Sequence, residues 1–257
     1  MTGAGHLLLI CVAGVLAGGV NAIAGGGTLI SFPALLALGI PPVAANVTSR
    51  VGLVTSYAGG ATGYRRELAG QGHRVRVLSV SALVGGVVGA VVLLVSPERS
   101  FRVVVPYLVL FSCLLLAVQP TLAKWLARRR SARSAAPLDH TSPLVHAGVI
   151  LSSAYASYFG AGVGVLLLAI FAILIEDDIQ RLNGLKNVLI LVANIVGVLL
   201  FAFSGRVDWP IALLLIVTAY GGGLLGSRLA RQVRAEVLRA VVIVFGVAVA
   251  GVLLATS

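Results

Sequence analysis

The sequence predicts an all-α polytopic membrane protein built as two inverted-topology repeats, each of about five segments and each holding one short glycine-broken helix. Three observations lead there. Of 257 residues, 59% are hydrophobic and 11% charged, and the mean hydropathy is +1.06, too apolar for a soluble globule of ordinary composition. Residues 24–60 superpose without gaps on residues 161–197 at an offset of 137, which pairs Ala24, Gly25, Gly27, Leu29, Asn46, Val51 and Gly60 with Ala161, Gly162, Gly164, Leu166, Asn183, Val188 and Gly197. The same offset carries Gly85, Gly86 and Gly89 onto Gly222, Gly223 and Gly226. Finally, the arginines change loops between the two copies.

Taken in chain order, charge-poor stretches at about 7–24, 46–63, 77–95 and 103–118, then 144–160, 184–203, 209–227 and 237–255, approach the roughly 20 residues that a spanning helix needs. Two more, at about 28–40 and 164–175, are short. At ~1.5 Å rise per residue they cover only about 18 to 20 Å of a hydrocarbon core about 30 Å thick. They read as half-helices, or as helices reached through an unwound entry. The division that follows is a first transmembrane repeat at 1–118, a linker at 119–143 and a second repeat at 144–257. The linker holds Pro120, Pro137, Pro143 and the run Arg128-Arg129-Arg130. It is expected to be a cytoplasmic connection that sets topology, and its basic run also suits anionic head groups. The apolar N-terminal run ending in Ala22-Ile23-Ala24-Gly25 superficially resembles a signal-peptide cleavage site. No basic n-region precedes it and it lies inside the repeated motif, so it is expected to be retained.

The net charge is +11, and thirteen of the nineteen basic residues sit in three interhelical segments. These hold Arg65, Arg66, Arg74 and Arg76; Lys124, Arg128, Arg129, Arg130 and Arg133; and Arg228, Arg231, Arg234 and Arg239. That is the positive-inside pattern, and no soluble basic domain is left to track phosphates, which argues against nucleic acid as a partner. The Arg-rich loop at 64–76 has as its repeat partner 201–213, which carries only Arg206, balanced by Asp208. The loop at 96–102 has Arg99 and Arg102 with Glu98, whereas 227–239 has four arginines against Glu236. An inverted second copy puts the Arg-rich loops on one side, and ten segments then place both termini outside.

Gly25-Gly26-Gly27-Thr28 opens the first short segment and Gly160-Ala161-Gly162-Val163-Gly164 the second. Glycine lets a ligand approach the chain closely, and the first turn of each following helix presents unpaired N–H groups and partial positive charge. An anion is the natural ligand for two such ends meeting near the midplane. Thr28 and Ser31 add hydroxyl donors. The alternative is that glycines only permit close helix packing, which is the favoured reading for the triplets at Gly85 and Gly222. Asn46-Val47-Thr48-Ser49-Arg50 and Asn183-Gly184-Leu185-Lys186-Asn187 are repeat partners, each at the start of a long helix. Asn46 and Asn183 either cap those helices or reach inward. Arg50 and Lys186 either snorkel to head groups or face a polar cavity. Asn21 and Asn194 are further polar groups expected to face the bundle interior. The candidate anion-binding set is Asn21, Gly25, Gly26, Gly27, Thr28, Ser31, Asn46, Thr48, Ser49, Gly160, Gly162, Gly164, Asn183, Lys186 and Asn187.

No catalytic residue, metal ligand or cofactor is expected. There is no His-Glu-x-x-His motif, and His6, His73, His140 and His146 lie near segment ends or in loops. Glu176, Asp177 and Asp178 read as a solvated helix cap. With no carboxylate in a helix centre, no built-in proton or sodium relay is visible. Cys11 and Cys113 lie in apolar stretches and read as small buried hydrophobes.

Four stretches carry a family resemblance: Asn21-Ala22-Ile23-Ala24-Gly25-Gly26-Gly27-Thr28-Leu29-Ile30-Ser31-Phe32-Pro33, Pro41-Pro42-Val43-Ala44-Ala45-Asn46-Val47-Thr48-Ser49, Gly59-Gly60-Ala61-Thr62-Gly63-Tyr64-Arg65-Arg66-Glu67-Leu68 and Arg181-Leu182-Asn183-Gly184-Leu185-Lys186-Asn187-Val188. Together they resemble the sulfite exporter TauE/SafE family, also called the 4-toluene sulfonate uptake permease family, over nearly the whole chain. The resemblance implies a multi-pass carrier of sulfite, sulfonates or related organosulfur anions in the bacterial cytoplasmic membrane, working by alternating access. Its partners would be a small anionic substrate and the lipid bilayer, with homo-oligomerisation left open. A carrier of a carboxylate or other small solute, and a non-transporting membrane scaffold, remain as alternatives. Two departures stand out. The second copy lacks a run of three glycines and has Ile170 where Pro33 would recur, so its break is expected to be the less sharp. Arg50 stands where a smaller or apolar residue is expected, so this chain is expected to hold its ligand differently.

Overall fold

A computed structural model describes residues 3–24, 26–132, 142–229 and 235–255. Among them the chain forms ten helices: α1 (Ala4–Ala24), α2 (Thr28–Ala37), α3 (Pro42–Gly63), α4 (Gly72–Val95), α5 (Glu98–Ala132), α6 (Pro143–Tyr158), α7 (Val163–Leu174), α8 (Ile179–Ala202), α9 (Trp209–Leu229) and α10 (Ala235–Ala255). An all-helical architecture follows from the solvent: in hydrocarbon a backbone must satisfy its own N–H and C=O groups, and a helix does so within one segment. Gly72–Val95, Glu98–Leu122 and Ile179–Ala202 are each long and apolar enough to cross a membrane. The two short helices are where the sequence places them. With 10 residues in α2 and 12 in α7, they reach about 15 and 18 Å at ~1.5 Å per residue, well short of a bilayer core.

Helix starts show how local chemistry sets the boundaries. Asp178 caps α8, its carboxylate accepting from Gln180 N–H at 2.8 Å, which satisfies one orphan donor of the first turn. The repeat partner of Asp178 is Pro41, which has no such acceptor. In the first copy Glu98, from the start of α5, reaches across instead and accepts from Val43 N–H at 3.1 Å. Val43 and Gln180 are themselves repeat partners, so one electrostatic need is met locally in one half and from a distance in the other.

The helix after 118 departs from expectation. α5 continues through Pro120 to Ala132, so the first part of the linker at 119–143 is helical. The stretch Leu122-Ala123-Lys124-Trp125-Leu126-Ala127-Arg128 is rich in good helix formers. Residues 133–141 of the linker lie outside the described residues, and Pro143 opens α6.

Helix pairing has a pattern. α1 packs most extensively on α9 and α4 on α6, α3 lies against both α8 and α9, α4 also meets α8, and α5 meets α10. Exchanging α1–α5 with α6–α10 maps each of these pairs onto another of them or onto itself. Glycines permit the closest approaches: a Cβ added to Gly85 or Gly89 in α4 would overlap the Ile150 or Ala154 carbonyl of α6, and one on Gly222 in α9 would overlap the Val15 carbonyl of α1. This is the small-residue packing of membrane helices, and it agrees with the packing reading for Gly85, Gly89 and Gly222. Phe32, Phe101, Phe159, Phe171 and Phe201 are fully buried. Leu151, Val217 and Val244 face outward, an apolar exterior that water would disfavour and lipid accepts.

Candidate functional site

The second glycine break is a sharp one. Between α6 and α7, Gly160 has φ +78° and Gly162 φ +74°, a left-handed backbone that glycine adopts at little cost. At the first break Gly27 has φ −56°. Its added Cβ would overlap the Ala17 carbonyl, so Gly27 serves close packing against α1. Gly26 is buried beside Leu116, Val20 and Val242, and Gly25 lies outside the described residues. The first short helix nevertheless touches the second break: Phe32 of α2 meets Phe159 edge to face, with ring centroids 5.7 Å apart.

Several predicted residues gather at this second break. Asn46, in the second turn of α3, is no cap. Its Nδ2 donates to Tyr158 O at 2.8 Å, tying α3 to the end of α6, and its buried Oδ1 has no donor. Asn183 lies likewise in the second turn of α8 and accepts from Lys186 Nζ at 2.9 Å. Lys186 turns inward: a Cβ on Gly164 would stand 3.7 Å from its Nζ, so the ammonium lies at the entry to α7. Asn187 is half-buried beside it in sequence.

Other candidates have their hydrogen bonds elsewhere. The Ser31 and Ser49 hydroxyls pair with each other at 2.6 Å. Thr48 accepts from Asp208 N–H at 3.0 Å, at the entry to α9. Thr28 is buried at the start of α2. Asn21 Nδ2 donates to Ser56 Oγ at 2.5 Å, joining α1 to α3.

Four residues outside the predicted set complete the second break. Arg50 lies one turn after Asn46 on the same face of α3 and is 4% exposed. Its Nη2 donates to Asn194 Oδ1, and an added Cβ on Gly160 would overlap its Nη1. Asn194 is held in turn by donating its Nδ2 to Ile190 O at 2.7 Å. Tyr155 donates its hydroxyl to Ala161 O at 2.7 Å and pairs with Ser112 at 2.8 Å, which fixes the carbonyl inside the break. The intramembrane Arg50 and Asn194 are visible as a signal in the sequence, whereas nothing there distinguishes Tyr155 or Ser112 from packing residues.

The acidic cluster is a clasp rather than only a cap. Asp177 accepts from Arg74 at 2.5 Å and from Arg181 at 2.9 Å, linking the start of α4 to the α7–α8 connection. Burial works to raise its carboxyl, but hydrogen bonds from Arg74 and the Asp178 N–H, with the Arg181 and Arg74 charges, outweigh it and hold the pKa below the usual value. A large groove of about 760 Å³ lies elsewhere, between α1, α2 and α10, lined only by apolar side chains such as Leu16, Ile30 and Phe245. It offers no polar side chain to orient an anion.

Apolar helices, two of them short and broken by glycine, around an interior pair of cations define a multi-pass membrane protein of the transporter class. The profile of the family described as sulfite exporter TauE/SafE matches residues 10–253, and the chain belongs to that family. Across 252 residues it is 28% identical to the probable membrane transporter protein ORF9 of Sinorhizobium sp., over 97% of this chain and 93% of that one. It is 27% identical over 248 residues to the probable membrane transporter protein YfcA of Escherichia coli, covering 95% and 87% of the two chains. A probable membrane transporter protein of Haemophilus influenzae is 23% identical over 240 residues, covering 92% and 89%. No solved structure matches the chain.

Proposed function

We propose that this chain is a secondary carrier that moves a small anion, sulfite, a sulfonate or a related organosulfur anion, across the bacterial cytoplasmic membrane. The observation that carries the reading is Lys186: an ammonium turned inward to the entry of α7, held by the neutral Asn183, with no carboxylate pairing it among the described residues. A cation so placed attracts an anion, and the first-turn amides of α7 add to its field. The substrate class rests on the family's description as sulfite exporters. Alternating access by two inverted halves is part of the proposal. It is supported by the repeat, by the reversed arginine bias and by helix pairings that exchange under the swap of halves.

The test is uptake of labelled sulfite and simple sulfonates into liposomes holding the purified protein, with and without a pH gradient, beside Lys186→Ala. Saturable flux that is lost in the variant while it remains folded and inserted supports the reading. No flux of any sulfur anion through folded protein refutes it and turns attention to carboxylates, then to a scaffold.

A further inference from the structure

We infer that Arg50 makes the anion site of this chain doubly positive, so that it takes a small anion carrying two negative charges in preference to one carrying a single charge. The inference rests on the anion-carrier reading above. Two cations, from different halves, stand at the two ends of one short break. Arg50 of α3 reaches Gly160, and Lys186 of α8 reaches Gly164. Each is held by a neutral amide, Asn194 for Arg50 and Asn183 for Lys186. The tyrosines in electrostatic range of Arg50, Tyr57 and Tyr155, are neutral as well.

Among the described residues no carboxylate is paired with Arg50 or Lys186. Among the described residues, Glu67, Glu98, Glu176, Asp177, Asp178, Asp208 and Glu236 all lie between helices or in the first turn of one, and the ion pairs of Asp177 are to Arg74 and Arg181. A charge buried without a counter-charge is strongly unfavourable, and within a membrane span it marks a site whose partner must be found. One monovalent anion leaves one of the two cations uncompensated in a low-dielectric interior, whereas a dianion neutralises both. Arg50 is also well suited to the role by shape: Asn194 occupies Nη2, and the rest of the planar fork remains for an oxyanion, which guanidinium binds in bidentate fashion. Glycine at 160 matters here because any side chain would take the space of Nη1.

Ethanesulfonate and ethane-1,2-disulfonate share one skeleton and differ by one charge, so they isolate the effect. Affinities for both would be measured by calorimetry on the full-length protein in detergent, for wild type, Arg50→Gln and Arg50→Lys, each checked for a monodisperse elution profile. The wild type is expected to prefer the disulfonate by about tenfold or more. Arg50→Gln should bring that ratio to within about threefold while binding of the monosulfonate persists, and Arg50→Lys, which keeps the charge, should retain the preference. Equal wild-type affinities, or a ratio unmoved by Arg50→Gln, overturn the inference and leave the carrier reading standing. Should neither sulfonate bind wild-type protein that is folded, it is the anion-carrier reading that falls, and this inference with it.

Discussion

Alanine at Gly160 puts a methyl group into the tightest corner of the second break. The backbone there has φ +78°, and a left-handed conformation costs an ordinary residue about 1 to 2 kcal/mol. The new Cβ would also overlap Nη1 of Arg50 and stand 2.7 Å from the Ala156 carbonyl. The arginine end can swing away, but the carbonyl belongs to the last turns of α6 and cannot, so an overpacking term of about 1 to 3 kcal/mol is added. The sum, about 2 to 5 kcal/mol, corresponds to roughly 10 °C for a chain of this size. Gly164→Ala is the internal control. Its φ is not positive, its added Cβ stands 3.7 Å from Lys186 Nζ, and alanine favours a helix by up to about 1 kcal/mol over glycine. Thermal unfolding of both variants in detergent, followed by intrinsic tryptophan fluorescence, should show Gly160→Ala melting well below wild type and Gly164→Ala at or slightly above it. Equal melting of Gly160→Ala and wild type would refute the assignment of a strained, crowded turn to this break.

Asp177→Asn should cost about 1 kcal/mol at neutral pH through the loss of charged acceptors for Arg74 and Arg181. Because the folded carboxyl titrates below its unfolded value, its contribution is complete above about pH 4 and is lost as pH falls through the lower folded value. The gap in melting temperature between wild type and Asp177→Asn should therefore hold from pH 7 down to about pH 4 and narrow only below it. Glu98→Ala removes the acceptor of Val43 N–H and should lower stability by about 1 kcal/mol, the usual worth of a helix cap, as read by the same melting assay. Reporter fusions at Gly70 and Gly205, both in open connections, should report opposite sides of the membrane, and the same side would sink the inverted repeat.

Much of the architecture was legible because hydrocarbon restricts the choices. The short segments at 28–40 and 164–175 appear as α2 and α7, and each full-length stretch has its helix. Boundaries slipped where polar residues lie inside a helix. α3 and α8 begin at Pro42 and Ile179, several residues before the apolar runs that announce them, so Asn46 and Asn183 lie in second turns and cannot cap. A count of glycines does not show how sharp a break is, because sharpness depends on which of them take positive φ, as Gly160 and Gly162 do. Of the candidate set, Asn46 ties α3 to Tyr158 just before Gly160, and Lys186, held by Asn183, reaches Gly164, while Ser31 and Ser49 satisfy each other and Thr48 holds Asp208.

Legible in one dimension were the number of helices, which two of them are short, the pair of glycine breaks and the family. These depend on local composition and on a repeat that can be read in one dimension. The folded arrangement is what brings Asn46 to Tyr158, Arg50 to Asn194 and both cations to the second break. The reason is physical. In a soluble protein a polar face tells each helix which way to turn, but here lipid and core are both apolar, and the rotation of a helix is set by small-residue contacts and a few interior hydrogen bonds. Those bonds join residues more than a hundred positions apart in the chain, beyond the reach of any periodicity.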